Sequence, residues 1–289
     1  MATLKRRSKG DLTFDIINNT LMLILCISTL YPFIFLVFQS LGNSATISLL
    51  PRTFDITAYK NVLKNHYMWT GFYNTIVRTV IGTALSVLVT AAAAYALSKR
   101  YFPNRTLWTS LIVFTMFFSG GLIPGYLLVR GLGLYDSIWA MILPGLCSAY
   151  NMTIMRNYFM SLPDSLEESA RIDGANDIQI MFRIVMPISL PIIATIALWN
   201  AVGHWNSWFD CMIYIQDANK QVLQLILRRI VVEGTSQYMS FTGSLDTGTY
   251  TPEALKAATT IVATLPIIMV YPFVQKYFVK GVMVGSLKG

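Results

Sequence analysis

SLPDSLEESARIDGANDIQIMFRIVMPISLP, Ser161 to Pro191, is a charged segment set between long apolar runs. Pro163 stands where a first helical turn tolerates proline, and Asp164 with Glu167, or Ser165 with Glu168, has capping-box spacing. A short helix is therefore expected to begin here. Glu167 lies four residues before Arg171, the favourable orientation for an ion pair on a helix, and Gly174 supplies a backbone free to turn. Ile178, Phe182 and Val185 are spaced to form the apolar face of a second helical piece. Glu167, Glu168, Arg171, Asp173 and Asp177 put five ionised groups within eleven residues. Each would cost about 2.5 to 3.5 kcal/mol at the centre of a bilayer, so the segment belongs in water.

Outside this stretch the chain is apolar. Its 289 residues are 54% hydrophobic and only 12% charged, against about a quarter charged in soluble domains. An all-α polytopic membrane protein of one domain, residues 1–289, follows. Six runs have spanning length: about 16–38, 72–97, 107–128, 137–159, 192–214 and 257–278. Residues 1–15 carry Lys5, Arg6, Arg7 and Lys9, and the run that follows is too long for a cleaved signal, so it is read as a retained first helix. Residues 40–70 and about forty residues after Tyr214 read as polar external loops. Six spans place both termini on one side. That side holds thirteen Lys and Arg against eight opposite, with Arg78 inside the second span. The excess puts both termini, and residues 161–191, in the cytoplasm.

The order of residues carries a family resemblance. Glu168-Ser169-Ala170, then Gly174-Ala175 and Pro187-Ile188-Ser189-Leu190-Pro191, resemble the EAA signature of permease subunits of binding-protein-dependent ABC importers. Ser169 departs from the usual alanine, a small-for-small change. Ala94-Tyr95-Ala96-Leu97-Ser98, the order GLGLYDSIWAMILP from Gly131 to Pro144, and the tail from Tyr271 to Gly289 are similar to the maltose-type, carbohydrate branch. The likeness extends to oligosaccharide permeases of the lipoprotein-linked Gram-positive type and the alginate importer.

The resemblance implies a type I importer permease fold in which 161–191 is the coupling segment. It implies that Glu167, Glu168, Ser169, Ala170, Asp173, Gly174 and Ala175 meet the ATPase, as do Gln275, Lys276, Lys280, Gly281 and Lys288 of the tail. The plainer alternatives are an amphipathic cytoplasmic loop and a basic flank that stops the last span. The implied partners are a second homologous permease, an ATPase dimer, an extracytoplasmic solute-binding protein, an oligosaccharide and membrane lipid, in the inner membrane of a bacterium. ATP and Mg would sit on the ATPase, with no cofactor in this chain.

The chemistry present agrees with transport. No G-x-x-x-x-G-K-[ST] phosphate loop occurs, and neither His66 nor His204 has partners at metal or triad spacing, so no catalytic residue and no metal ligand is assigned. Cys26, Cys147 and Cys211 lie in or beside apolar runs and read as packing or lipid-facing thiols. The Lys and Arg residues sit at helix ends instead of forming an aromatic-interleaved patch, which argues against nucleic acid.

Polar groups within spans mark function when they line a water-filled path. Asn200, His204 and Ser207 share a helical face, with Asn206, Asp210, Trp205 and Trp208 beside them, a set suited to sugar hydroxyls and ring faces. The alternative is a helix contact for the histidine and an interfacial belt for the tryptophans. Arg78, one turn from Asn74, is expected to snorkel outward. Arg228 and Arg229, in a stretch of helical potential from Leu223 to Val232, either steer an acidic sugar beside the binding protein or lie on the surface. A secondary transporter, an ABC permease for a non-sugar solute and a purely structural subunit are the rival readings.

Overall fold

The computed structural model describes residues 9–42, 54–233 and 251–286, and what it describes is all-α apart from one isolated antiparallel bridge, Gly42 to Phe54. In chain order the helices are α1 Lys9–Ser40, α2 Thr57–Lys64, α3 His66–Ser98, α4 Arg105–Phe117, α5 Leu122–Gly131, α6 Ala149–Met160, α7 Ser165–Ile172, α8 Asp177–Ile180, α9 Met186–Ile188, α10 Leu190–Asn206, α11 Phe209–Tyr214, α12 Leu223–Arg228 and α13 Pro252–Ser286. Single 3-10 turns fill Ile138–Met141, Leu143–Gly145 and Ala218–Lys220, and π-helical turns fill Met181–Val185 and Arg229–Glu233.

Among the described residues three helical stretches are long and apolar enough to cross a membrane: Gly10–Ser40, His66–Ser98 and Pro252–Met269. Three bent pairs qualify if each is one span. Arg105–Phe117 with Leu122–Gly131 is bent by 116°, Ile138–Gly145 with Ala149–Met160 by 52°, and Asp177–Ile188 with Leu190–Asn206 by 86°. The runs 107–128 and 137–159 are thus each two helical pieces. Gly120 and Gly121, the latter at φ +89°, lie in the first break, and Pro144 with Gly145 ends the 3-10 piece just before the second. Residues 40–70 include α2 and the first turn of α3, whose Tyr67 N–H is capped by the Asn65 side chain at 2.9 Å.

The chain divides into two units. One comprises 1–64 and 234–262. In it α1 exposes nearly every side chain, as an apolar helix meeting lipid does, and Ser40 at its end shares a 2.7 Å hydrogen bond with Tyr59 of α2.

The second unit, 65–233 and 263–289, is organised on α3. Met68, Gly71, Thr75, Arg78, Gly82, Ser86, Thr90, Ala94 and Leu97 are buried at steps of three or four, one continuous stripe of mostly small residues. Small side chains let neighbouring helices approach closely in a membrane, and α10 and α6 are the helices packed along α3. Ala91 and Ala94 are fully buried against Met152, Met155, Phe159 and Ile196. The long segment after Tyr214 is not wholly loop, because α12 buries Leu223, Leu225 and Ile226. Asn74 of α3 donates to the Asn219 and Gln221 carbonyls at 2.7 and 3.0 Å, and Thr75 Oγ1 accepts from Leu223 N–H at 2.9 Å.

Candidate functional site

Residues 161–191 form a folded element with one buried and one open face. Asp164 makes no side-chain cap to α7, because its own backbone is already helical and Glu167 is drawn elsewhere. The capping box lies one helix later: Asn176 Oδ1 accepts from Gln179 N–H and Gln179 Oε1 from Asn176 N–H, at 2.9 and 3.0 Å. Glu167 does not pair with Arg171 either. It pairs with Lys99, just past the end of α3, while Arg171 bonds Asp177 at 2.7 Å and donates to the Tyr101 hydroxyl. That bond holds the Arg171 guanidinium above its ordinary pKa, and burial raises the Tyr101 phenol. Arg156 of α6 adds a 2.9 Å bond to the Leu97 carbonyl. The Glu167–Lys99 and Arg171–Tyr101 links lash the chain at the end of α3 to the charged element, and Arg156 ties α6 to the same end.

Gly174 ends α7 at φ +80°. Its N–H donates to the Arg171 carbonyl at 3.0 Å, and Ala175 N–H reaches back to Ala170 at 2.9 Å, the paired bonds of a Schellman motif. The apolar contact that goes with it is present, since Ala170 is buried and Ala175 packs against the same cluster. Glu168, Ser169 and Asp173 are exposed, with the Ser169 hydroxyl satisfied by the Ser165 carbonyl at 2.9 Å. The expected second face is corrected. Val185 is buried, but Ile178 and Phe182 are exposed, and Ile180 and Met181 take their place. A π-helical turn over Met181–Val185 has one residue more per turn than an α-turn, so a count at 3.6 residues loses phase there. Ile172, 87% exposed at the tip of α7, offers an uncovered apolar side chain beside the acids.

Gln275, Lys276, Lys280 and Gly281 lie on the backbone of α13 with side chains outside the described residues, and Lys288 lies outside them altogether.

The second assembly of polar groups is a cavity of about 430 Å³ within the second unit, lined by Arg78, Met141, Trp199, Asn200, His204 and Asp210 among others. Ser207 also lines it; Asn206 does not, being exposed with its amide bonded to the Val202 carbonyl at 2.9 Å. Trp205 and Trp208 are likewise not on its wall. The lining indole is Trp199, stacked on Tyr150 with centroids 6.2 Å apart.

Arg78 does not snorkel outward. It is 2% exposed and pairs with Asp210 through both guanidinium amino groups. The same groups donate to the Ser207 carbonyl at 3.2 Å and the Met141 carbonyl at 3.1 Å. Ser207 follows the last residue of α10, and Met141 closes the 3-10 turn of the broken run before α6. Carbonyls freed by a helix break and shut away from water need an internal donor, and the buried Arg78 serves two such breaks. Asp210, itself fixed by the Ser207 hydroxyl at 3.0 Å and the Cys211 N–H at 2.8 Å, neutralises it. His204 is held by shape: a Cβ on Gly82 would stand 2.5 Å from its Nε2.

Arg228 and Arg229 are not two free cations side by side. The Arg228 guanidinium lies over the Trp208 ring, 4.2 Å from its centroid, and Arg229 donates to Gln221 Oε1 at 2.8 Å. At the same end Asp136 accepts from Gln216 N–H, Asp217 N–H and Lys220 Nζ, at 2.9, 3.0 and 2.7 Å. The lysine's donated bond holds the Asp136 carboxyl below its ordinary pKa.

Residues 100–284 match the family described as binding-protein-dependent transport system inner membrane component. The chain belongs to this family. It is 42% identical to the polygalacturonan/rhamnogalacturonan transport system permease protein YtcP of Bacillus subtilis, over 96% of this chain and 98% of that one. It is 40% identical to Protein LplC of the same organism, over 98% and 97%. A crystal structure of a bacterial ABC transporter involved in the import of the acidic polysaccharide alginate contains a chain of the same fold, with TM-score 0.88, 37% identity and coverage of 95% of this chain and 99% of that one. The permease is accordingly a multi-pass membrane protein and a transport subunit, with ATP hydrolysed on a separate subunit.

Proposed function

We propose that this permease carries acidic, uronate-containing oligosaccharides into a bacterial cytoplasm. It would work as one half of a pair with a second homologous permease, served by an ATPase dimer that holds ATP and Mg and by an extracytoplasmic binding protein. The polygalacturonan/rhamnogalacturonan permease and the alginate transporter are named for acidic polymers, and the likeness to both runs nearly the whole chain. That shared chemistry carries the reading. The cavity supports it, because an indole face at Trp199 beside the polar groups of Asn200, His204 and Ser207 matches a sugar's apolar ring face and hydroxyls.

The coupling reading assigns the exposed acids and Ile172 of α7 to the ATPase surface, with both termini in the cytoplasm. ATPase closure would push α7; the Lys99–Glu167 and Arg171–Tyr101 links would pass the movement to α3, whose middle bears Arg78 on the cavity wall and Gly82 against His204. This is a population shift between inward- and outward-open states. Arg228 and Arg229, each engaged with a neighbouring side chain, would contribute positive potential near the binding protein rather than a clamp on the sugar.

The test is ATPase stimulation of the reconstituted importer by its binding protein loaded with oligogalacturonate or with a neutral oligosaccharide of equal length. Stimulation by the acidic ligand is expected, and stimulation by neutral sugars alone would overturn the substrate assignment.

A further inference from the structure

Away from the cavity, a groove of about 380 Å³ runs along α4 where α6 packs beside it. Its lining changes character along its length. At one end are Arg105, the first residue of α4, Thr106, and Arg156 of α6; at the other are Val113, Phe114 and Phe117. From Arg105 to Phe117 the helix rises about 18 Å. The charged end lies at the same end of α3 as the Lys99–Glu167 link, because Arg156 holds the Leu97 carbonyl two residues before Lys99.

The two arginines have no acidic partner among the described residues. Arg105 Nη1 is buried and has no hydrogen-bond acceptor, although buried donors are almost always satisfied. Arg156 spends its Nε on Leu97 and keeps its amino groups for another acceptor. Two uncompensated guanidinium groups at the mouth of an apolar groove call for an anion with an apolar tail attached.

We propose that this groove binds one phosphate-bearing anionic lipid of the cytoplasmic leaflet, its headgroup on Arg105 and Arg156 and an acyl chain along Val113, Phe114 and Phe117. Basic pockets between membrane helices on the cytoplasmic side bind acidic headgroups in this way. The bound headgroup supplies the acceptor Arg105 lacks and stiffens the corner where α3 meets the coupling element. The leaflet assignment rests on the proposed topology; the site does not depend on which sugar is carried.

The complete importer, stripped of lipid, is titrated in neutral micelles with phosphatidylglycerol, phosphatidylcholine or inorganic phosphate, and bound molecules are counted by native mass spectrometry. One phosphatidylglycerol is expected to bind in preference to phosphatidylcholine, with about fivefold weaker binding in Arg105→Gln and near-full retention in Arg105→Lys. Val113→Trp fills the apolar half without touching either arginine and is expected to remove the lipid. Equal binding of both lipids would overturn the proposal. So would phosphate occupancy indifferent to Val113→Trp, which identifies a free-phosphate site, or cross-linking of Ser110→Cys to the second permease instead of to lipid. The readout contains no sugar, so a neutral-sugar result in the stimulation assay leaves it standing.

Discussion

Replacing Asp210 by asparagine keeps the size of the side chain and removes the charge that neutralises Arg78. The guanidinium cannot retreat to water: its side chain is 2% exposed, and its amino groups are held by the Ser207 and Met141 carbonyls. Leaving one member of a buried pair uncompensated costs about 3–5 kcal/mol, so Asp210→Asn is expected to destabilise the permease by that amount. Arg78→Met acts differently. Asp210 keeps the Ser207 hydroxyl and the Cys211 N–H and is a quarter exposed toward the cavity, while two backbone carbonyls lose a donor at about 1–3 kcal/mol each. The double variant removes both charges together, so its loss should fall short of the sum by about 2 kcal/mol or more. Denaturant titration of the four proteins in the same mild detergent, followed by tryptophan fluorescence, gives the cycle. Additive losses, or an Asp210→Asn midpoint equal to wild type, would refute the argument that Arg78 and Asp210 act as a buried pair holding two helix breaks.

Two smaller perturbations test the contacts on either side of that pair. Gly82→Ala puts a methyl 2.5 Å from His204 Nε2 and is expected to lower ATP-driven uptake, with recovery in the Gly82→Ala, His204→Ala double variant; a fully active single variant would contradict the contact. At Gly174 a Cβ meets nothing within 4 Å, so only the φ of +80° is at stake. Gly174→Leu should cost roughly 1–2 kcal/mol locally and weaken ATPase coupling, whereas Gly174→Asn, which tolerates that backbone, should stay close to wild type; equal uptake by all three would remove the turn from the mechanism.

The turn at Gly174 was legible in the sequence; the uncapped helix start at Asp164, the face running through the π-helical turn, and the distant partners were not. The turn at Gly174 could be read because the glycine, the preceding helix and the small residue after it are neighbours in the chain. The Ala-rich end of the second span likewise announced close packing by composition alone. Arg78 was misread because its partner lies 132 residues away, and an arginine in an apolar run with no visible acid reads as one that reaches for water. The same holds for Glu167, whose partner Lys99 is 68 residues off while Arg171 stands at the right helical spacing. The broken span at 107–128 did carry a signal in Gly120, Gly121 and Pro124, which a count of apolar length overlooks. Trp199 was passed over for Trp205 and Trp208 because periodicity gives the face of a helix only up to the break after Asn206, and those two indoles flank the break.

ATP-driven uptake by the complete importer in sealed proteoliposomes addresses the central claim most directly, with labelled oligogalacturonate outside together with its binding protein. The wild-type complex is expected to accumulate the acidic sugar only when ATP is present on the ATPase side, and Asn200→Trp, which crowds the cavity of about 430 Å³, is expected to accumulate little or none. Accumulation by Asn200→Trp equal to wild type, or uptake of a neutral oligosaccharide in place of the acidic one, would contradict the account.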